Sequence, residues 1–333
     1  MRMKKEISII VPIYNGSRYL KRLLDSVAVQ DELGIELILV NDGSTDDSLG
    51  VIEACRSKLE IAGIAVYLIN KKENEGISSA RNCGLECARG NFVLFVDQDD
   101  WLEYDYVRTL KKKIEERGAD LVISGFRKIN EKGKILECWQ LDEECPFSKY
   151  RIIAPWGRIF RRSVIEKYHI RFMDTKISED MYFNLIFMSH TPRIVIFNYV
   201  GYNWFYYRES ESHSSWKKMS KKRDPLVVVE KIRKNMGKEG KLRRQDLTYF
   251  FLKYLLWYLL YSVRGASQEM AENMYERSFS WLDRYWPEYI EKERSGISVP
   301  IGESVKVRFC VSLCMMLKRK GILKKMLMLY RKL

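Results

Sequence analysis

The chain contains 333 residues, of which 46% are hydrophobic and 31% are charged. This length and composition exclude a mostly disordered protein and are typical of a folded catalytic domain with an additional region. The net charge is +14, yet residues 1–100 contain 12 basic and 16 acidic residues, so the positive charge lies further along the chain. The acidic N-terminal region argues against a nucleic-acid partner.

The cysteines and histidines indicate the cellular compartment of the protein and the kinds of metal site that it could contain. Seven cysteines are scattered along the chain without a CxxC pair, and there are only three histidines. This pattern predicts neither a zinc site nor a disulfide framework. The apolar run before Tyr14 is too short for a signal peptide. We therefore expect the protein in the reducing cytoplasm.

Strand-like and helix-like segments alternate through the first hundred residues. Apolar, β-branched runs predict strands at 7–12, 36–40, 65–69 and 92–96. Apolar residues at helical spacing predict helices after these strands, and Asn15 or Ser17 is the expected cap of the first helix. The alternation predicts an α/β fold with a parallel sheet, which binds ligands beyond the carboxyl ends of its strands.

The fourth predicted strand ends in a cluster of acids that contains Asp97, Asp99 and Asp100. Carboxylates two residues apart at a strand end can project towards the same pocket. Oxygen ligands suit Mg²⁺ or Mn²⁺, ions whose coordination shell is completed by water and substrate phosphates. Alternatively, Asp99 or Asp100 caps the helix that follows.

Four further segments accompany this acid cluster in a fixed order. They are Ile9–Asn15 (IIVPIYN), Val40–Asp46 (VNDGSTD), Asn74–Gly84 (NEGISSARNCG) and Ile177–Phe183 (ISEDMYF). With these segments, residues 6–215 resemble glycosyltransferase family 2, whose members share the nucleotide-sugar-binding fold called GT-A. The acid cluster stands where the family has its DXD element. The resemblance implies a Rossmann-like GT-A domain with a helical C-terminal extension.

The resemblance also implies which residues bind the nucleotide-sugar donor. They are Pro12, Tyr14, Asp42, Asn74, Gly76, Arg81, Asp97 and Arg158. In the family, the positions of Pro12 and Tyr14 line the nucleobase pocket, and the position of Asp42 binds uracil. Each residue also has an ordinary structural interpretation: a strand end for Pro12, a helix cap for Asp42 and a solvated helix charge for Arg81.

The metal site and the catalytic base follow from the same resemblance. Asp99 is the expected direct ligand of Mn²⁺ or Mg²⁺, and Asp97 is expected to contact the ribose or a metal-bound water. Asp180, in the Glu-Asp motif, is expected to take the proton from the acceptor hydroxyl, which implies inversion at the sugar. Alternatively, Asp180 caps the helix that carries Phe183.

Two positions depart from the family pattern or carry a weaker signal. Arg158 stands where the family usually has lysine, and its planar guanidinium makes its role in the site less defined. His213 lies in a segment that resembles the family's loop over the diphosphate. A lone loop histidine is more often without a function.

Residues 216–333 are predicted to be helical and basic. The apolar run Leu247–Val263 favours a buried or interfacial helix over a transmembrane span. Residues 304–333 mix basic and apolar residues at helical spacing, which suits peripheral contact with an anionic membrane surface. The alternative for this segment is a helix that packs within the protein or in a dimer.

These features together predict two domains and one reaction. Residues 1–215 are the GT-A catalytic domain, with a nucleotide-sugar-binding half at 1–125 and an acceptor-side half at 126–215. The expected reaction transfers one sugar from a UDP-sugar to a glycan or lipid-linked acceptor in surface polysaccharide biosynthesis, at the inner face of the membrane. The alternatives are an inactive donor-binding or membrane-docking protein and a sugar-nucleotidyltransferase.

Overall fold

The computed structural model describes residues 5–207, 223–237 and 241–331. The chain divides into two compact units. The N-terminal unit comprises Met1–Glu144, Ile153–Asp174 and Glu179–Tyr207, and the C-terminal unit comprises Cys145–Ile152, Thr175–Ser178 and Arg208–Leu333. The predicted domain boundary at residues 215 and 216 lies outside the described residues and stays a prediction.

The N-terminal unit is a mixed α/β structure. Its strands are β1 (Ile7–Ile13), β2 (Ile35–Asp42), β3 (Ala65–Lys71), β4 (Phe92–Phe95), β5 (Trp101–Leu102), β6 (Leu121–Asn130), β7 (Ile135–Trp139), β8 (Arg158–Arg161) and β9 (Ile194–Tyr206). Its helices are α1 (Ser17–Ala28), α2 (Ser48–Ile61), α3 (Ile77–Cys87), α4 (Tyr106–Glu116), α5 (Arg162–Lys167) and α6 (Glu179–Ser189). The predicted α/β class is confirmed.

The described strands form a sheet in the order β3-β2-β1-β4-β8-β6-β9-β5, with β7 paired to β6. The first four strands along the chain are parallel, as their alternation with helices predicts. β8 then runs antiparallel to both β4 and β6. This reversal explains why the simple alternation in the sequence is lost after residue 125.

Burial in the N-terminal unit follows the sequence pattern. Every residue of β1 and of β2 is buried, as expected for parallel strands covered by helices on both faces. α1 buries Leu20, Leu23, Leu24 and Val27, which recur at helical spacing. The buried sheet therefore gives a rigid support for the loops that follow its strands.

The C-terminal unit is helical in its described parts. Its helices are α7 (Pro225–Asn235), α8 (Arg244–Ser262), α9 (Gln268–Tyr285), α10 (Lys292–Ser295), α11 (Val305–Arg319) and α12 (Leu323–Tyr330), with 3-10 helices at Pro146–Tyr150 and Pro287–Ile290. α8 covers the predicted apolar run up to Ser262 and is largely buried, although Trp257 is 60% exposed. Within the described ranges, no helix is both long enough and apolar enough to cross a membrane.

Candidate active site

The loops that follow β1 and β4 contact each other at the carboxyl edge of the sheet. The backbone N–H of Tyr14 donates to Oε1 of Gln98 at 2.9 Å, and Nε2 of Gln98 donates back to the Tyr14 carbonyl at 3.0 Å. Gly16 packs so closely that a Cβ there would lie 2.4 Å from the same Oε1. Gln98, between Asp97 and Asp99, therefore fixes the acid cluster to the first loop.

The loop that follows β2 is bonded to the same first loop. Oδ1 of Asn15 accepts from the backbone N–H of Thr45 at 2.8 Å, and Oγ of Ser44 accepts from the N–H of Asn15 at 2.9 Å. Gly16 occupies the N-cap position of α1 and has no side chain to cap it, and Oδ2 of Asp46 accepts from the backbone N–H of Ser17 at 2.9 Å. The prediction that Asn15 or Ser17 caps α1 is wrong, because the Asn15 side chain joins two loops instead.

Asp42, at the end of β2, accepts hydrogen bonds from the next strand and its loop. Its Oδ1 accepts from Nζ of Lys71 at 2.6 Å, and its Oδ2 accepts from the backbone N–H of Gly76 at 2.7 Å. Lys71 is the last residue of β3 and lies beside Asp42 in parallel register. The structure thus brings the 74–76 loop to Asp42. A direct contact of Asp42 with uracil stays a prediction.

Two glycines shape the loops that follow β2 and β3. Gly43 has φ +69°, and a Cβ there would lie 2.5 Å from the carbonyl carbon of Glu73. Gly76 has φ +99°, which an L side chain rarely adopts. The backbone at both positions therefore favours glycine, and the exposed Asn74 lies two residues before Gly76.

A buried arginine contacts both acidic motifs of the site. Arg81, on α3, is only 1% exposed. Its Nη1 donates to Oδ1 of Asp180 at 2.5 Å, and its Nη2 donates to Oδ1 of Asp97 at 2.9 Å. Glu179 lies 3.9 Å from the same guanidinium. The interpretation of Arg81 as a solvated helix charge is therefore wrong, and the two motifs meet through this side chain.

The surroundings of Arg81 keep it in place and charged. Its guanidinium lies 5.1 Å from the ring centre of Phe172. Asn82 fixes that residue, because its Nδ2 donates to the Phe172 carbonyl at 2.9 Å and its Oδ1 accepts from the Phe172 N–H at 2.8 Å. Burial acts to lower the pKa of Arg81, but the carboxylates of Asp180 and Asp97 outweigh it and raise the pKa.

Asp180 lies in the first turn of α6, inside the helix, so the cap interpretation is wrong. Burial raises the pKa of Asp180 to about 8, Arg81 opposes this shift, and the charge of Glu179 adds to it. Arg158 is completely buried at the start of β8, and burial lowers its pKa to about 9 against the opposing charge of Asp180. A carboxylate whose pKa lies near the working pH is suited to accept a proton.

Asp100 has a structural environment that differs from that of Asp97 and Asp99. Its Oδ1 accepts from the backbone N–H of Phe205 at 2.8 Å, and its Oδ2 accepts from the hydroxyl of Tyr202. The same hydroxyl accepts from the backbone N–H of Asp97 at 3.3 Å. Asp100 thus anchors the acid cluster to β9, and both of its oxygens are occupied within the protein.

Asp97 and Asp99 are the candidate carboxylates for a divalent cation, and their role as ligands stays a prediction. Burial and the charge of Asp97 raise the pKa of Asp99 to about 6, a repulsion that a cation would relieve. In the described part of the chain, no group of three or more His, Cys, Asp or Glu residues could hold an ion by itself. Two carboxylates suit Mn²⁺ or Mg²⁺ when phosphate oxygens and water complete the coordination shell. Asp105 occupies the N-cap position of α4, so neither Asp99 nor Asp100 caps that helix.

Sequence reasoning gave no role to three residues that shape the site: Lys71, Gln98 and Tyr202. Lys71 carries a signal in the sequence, because it ends the strand adjacent to β2 and so lies beside Asp42. The contact of Tyr202 with Asp100 spans 102 residues and has no local signal.

The two residues predicted to line the nucleobase pocket lie at the same edge of the sheet and differ in exposure. Pro12 is buried in β1. The pairing of β1 with β4 ends at Ile10, two residues earlier, so the missing N–H of Pro12 does not interrupt the hydrogen bonds between these strands. Tyr14 is 41% exposed. Contact of either residue with a base stays a prediction. His213 lies outside the described residues.

Comparison with known proteins decides the family. The pattern of Glycosyl transferase family 2 matches residues 8–214, a range that includes the acid cluster and the Glu-Asp motif. The chain belongs to glycosyltransferase family 2. As a family 2 glycosyltransferase, it has relatives in several bacteria.

Three relatives illustrate the similarity. Over 218 residues the chain is 34% identical to glycosyltransferase GlyA of Streptococcus pneumoniae, covering 60% of this chain and 30% of GlyA. Over 198 residues it is 30% identical to the putative glycosyltransferase EpsH of Bacillus subtilis, covering 55% of each. Over 216 residues it is 29% identical to the poly(ribitol-phosphate) β-N-acetylglucosaminyltransferase TarS of Staphylococcus aureus, covering 63% of this chain and 37% of TarS. The chain thus spans only 30% to 55% of these relatives.

Solved structures show the fold of this glycosyltransferase. TarS residues 1–349 in complex with UDP-GlcNAc match with a TM-score of 0.56 and 20% identity, covering 98% of this chain and 87% of that one. The mannosyltransferase PcManGT of Pyrobaculum calidifontis, in complex with GDP-Man and Mn²⁺, matches with a TM-score of 0.51 and 14% identity, covering 99% and 86%. The predicted GT-A fold with a helical C-terminal region is confirmed.

Proposed function

We propose that this glycosyltransferase transfers a single sugar, with inversion, from a UDP-sugar to a hydroxyl of a glycan or lipid-linked acceptor in surface polysaccharide biosynthesis. The UDP donor is supported by TarS, which shares the fold and was solved with UDP and with UDP-GlcNAc. A polymeric acceptor is supported by the name of TarS, which acts on poly(ribitol-phosphate).

The observation that carries this proposal is the contact of Arg81 with both Asp97 and Asp180. A sugar transfer needs a base close to the bound donor, because the acceptor oxygen must lose its proton as it attacks. Arg81 is buried, and its single guanidinium is hydrogen-bonded to both carboxylates. The two motifs are therefore held close to each other.

In the proposed reaction, Asp180 accepts the proton of the acceptor hydroxyl. The acceptor oxygen forms a bond to the anomeric carbon on the face opposite the leaving group. The bond to the diphosphate breaks at the same time, its electron pair leaves with UDP, and the configuration at that carbon inverts. Asp97 and Asp99 are the proposed holders of Mn²⁺ or Mg²⁺, which would supply positive charge to the departing diphosphate.

The remaining candidate residues are assigned to donor binding. Arg81 orients Asp180, and Arg158 adds a second positive charge near it. The proposed nucleotide pocket is formed by Pro12, Tyr14, Asp42, Asn74 and Gly76, and it is supported by the hydrogen bonds that join their loops.

We also propose a cytoplasmic protein that contacts the inner face of the membrane peripherally. The basic and apolar mixture in residues 304–333 supports this location. All seven cysteines, which lie within the described ranges, are free thiols, in keeping with a reducing compartment.

A panel of nucleotide sugars tests the proposed reaction. Each donor is incubated with the purified chain, with and without Mn²⁺ or Mg²⁺, and free nucleoside diphosphate released by slow hydrolysis is measured. We expect release that depends on the metal and is confined to a UDP-sugar. Release from a different nucleotide sugar would contradict the UDP assignment.

If no donor is hydrolysed, calorimetry of nucleotide binding provides the second readout. Metal-dependent binding of UDP would then indicate a strict requirement for the acceptor. Absence of both hydrolysis and metal-dependent nucleotide binding would overturn the proposal.

A further inference from the structure

Helix α11 presents an exposed apolar face. Val305, Phe309, Leu313 and Met316 are 63%, 54%, 39% and 42% exposed, respectively. Their spacing of four, four and three residues puts them on one side of the helix. Scattered exposed apolar residues are ordinary, but a continuous row along a helix indicates an interaction surface.

The helix itself is firmly packed on its other side. It buries Val311, Cys314 and Met315. Arg308 donates from Nη1 to the carbonyl of Ser298 at 3.1 Å, which adds a polar contact to this packing. The exposed apolar face therefore belongs to a helix whose opposite side is packed against the protein.

Positive charge accompanies the apolar face. Lys306 and Lys320 are exposed and stand near the two ends of the row. From Ser304 to Leu333 the sequence contains no acidic residue, so no carboxylate within this segment neutralises them. An apolar row between exposed lysines is complementary to a surface that offers hydrocarbon below a layer of negative charge.

We propose that α11 docks the protein on an anionic lipid bilayer. The four apolar side chains enter the boundary between headgroups and acyl chains, and Lys306 and Lys320 contact the lipid phosphates. This docking rests on the proposed peripheral membrane contact and deepens it by naming the helix, the side chains and the lipid charge, and it is separate from sugar transfer because it needs neither donor nor turnover.

A second copy of the chain is a poorer occupant of this face. A two-fold pairing of antiparallel α11 helices centred on Leu313 would bring Lys306 of one copy beside Lys320 of the other. These like charges repel, with no acidic residue nearby in the segment to offset them. A bilayer with anionic lipids has the opposite charge and no such conflict.

Vesicle sedimentation tests the docking without any donor present. The full chain is mixed with vesicles of phosphatidylcholine, with or without phosphatidylglycerol, at low and high salt. We expect binding to the anionic vesicles that weakens as salt is raised. The double substitution Phe309→Ser with Leu313→Ser should lower the partition coefficient roughly tenfold or more. Lys306→Gln with Lys320→Gln should lower binding to anionic vesicles about fivefold for each lysine.

Ile61→Ser is the matched control, because Ile61 is 88% exposed but lies in α2 of the N-terminal unit. It should leave vesicle binding unchanged, and circular dichroism checks that all variants fold. Equal binding by Phe309→Ser with Leu313→Ser and by the unsubstituted chain would overturn the proposal. Vesicle binding that is independent of lipid charge and of salt would also overturn it. So would the absence of vesicle binding together with a dimer, detected by light scattering, that the substitution Phe309→Ser with Leu313→Ser abolishes.

Discussion

Arg81 shows why a buried charge in this protein implies a specific arrangement of acids. A guanidinium that is 1% exposed requires partners, because an unpaired charge in the interior costs several kcal/mol. Asp97 and Asp180 supply them at 2.9 and 2.5 Å. The positions of the two carboxylates are consequently linked through one side chain, and neither can move far without breaking a charge-assisted hydrogen bond.

The raised pKa of Asp180 predicts the pH dependence of sugar transfer. A base works only when it is deprotonated, and burial raises the pKa of Asp180 to about 8. We therefore expect kcat/KM to rise with pH up to about 8. This is far above the pH at which an ordinary aspartate loses its proton. Donor binding measured over the same range is the control, since it separates proton acceptance from affinity. A rate that is flat from pH 5.5 to 9 would contradict the assignment.

Tyr202 offers a test of how the acid cluster is supported. Tyr202→Phe removes the hydroxyl between Asp100 and the backbone of Asp97, and it leaves a buried carboxylate short of a donor. We expect the free energy of unfolding to fall by about 1–3 kcal/mol and donor affinity to weaken. Chemical denaturation and nucleotide titration measure the two effects.

The matched control for this substitution is Tyr199→Phe. Tyr199 also lies on β9 and donates to an aspartate, Asp105, at 2.7 Å, but it does not contact the acid cluster. It should lower stability without changing donor affinity. Equal losses of donor affinity in the two variants would show that the hydroxyl of Tyr202 has no special role.

At the scale of elements, the loop after β2 needs glycine at position 43 for two reasons: its backbone conformation and the close approach of the Glu73 backbone. Gly43→Ala would place a Cβ 2.5 Å from the carbonyl carbon of Glu73, in addition to the cost of φ +69°. Gly63→Ala is the control, with φ +80° and no atom within 4 Å. Both should lose about 1 kcal/mol of stability from the backbone conformation. Only Gly43→Ala should also displace the 73–76 loop and raise KM for the donor; unchanged KM would contradict this account of the loop.

In the C-terminal unit, one ion pair joins α8 to the residue that precedes the cap of α11. Nζ of Lys253 lies 2.6 Å from Oε2 of Glu303, whose side chain is 5% exposed. Lys253→Met leaves that carboxylate buried without its main partner, so stability should fall by about 3–5 kcal/mol. Arg151, at 4.0 Å from Glu303, offsets only part of this loss.

Lys324→Met is the corresponding control on the surface. Lys324 pairs with Glu276 at 3.0 Å, with both side chains more than a third exposed. Exposed pairs contribute little, so we expect a change below about 1 kcal/mol in thermal or chemical unfolding. Similar losses in the two variants would show that burial does not decide the strength of these pairs.

At the scale of the whole molecule, the N-terminal α/β sheet and its site-bearing edge were predictable from the sequence. The buried runs of β1 and β2 carry a strong apolar signal, and parallel strands necessarily bring their carboxyl ends to one edge. That geometry alone indicates that the loops after Ile13, Asp42 and Phe95 share a site.

Other features depend on contacts that local sequence does not encode. The antiparallel insertion of β8 between β4 and β6 depends on pairing between distant segments. The contact of Arg81 with Asp180 spans 99 residues, and that of Tyr202 with Asp100 spans 102. Such pairs arise only after the sheet has assembled, so sequence patterns predicted the motifs without predicting how they contact each other.

The central claim is that Asp180 is the base of a glycosyltransferase, and Asp180→Asn tests it most directly. Its neighbour Glu179, 3.9 Å from the same Arg81 guanidinium, provides the control variant Glu179→Gln. We expect Asp180→Asn to lose turnover by roughly 10²–10⁴-fold while it retains affinity for the donor, and Glu179→Gln to keep most of its turnover. Turnover by Asp180→Asn within tenfold of the unsubstituted chain would contradict the account.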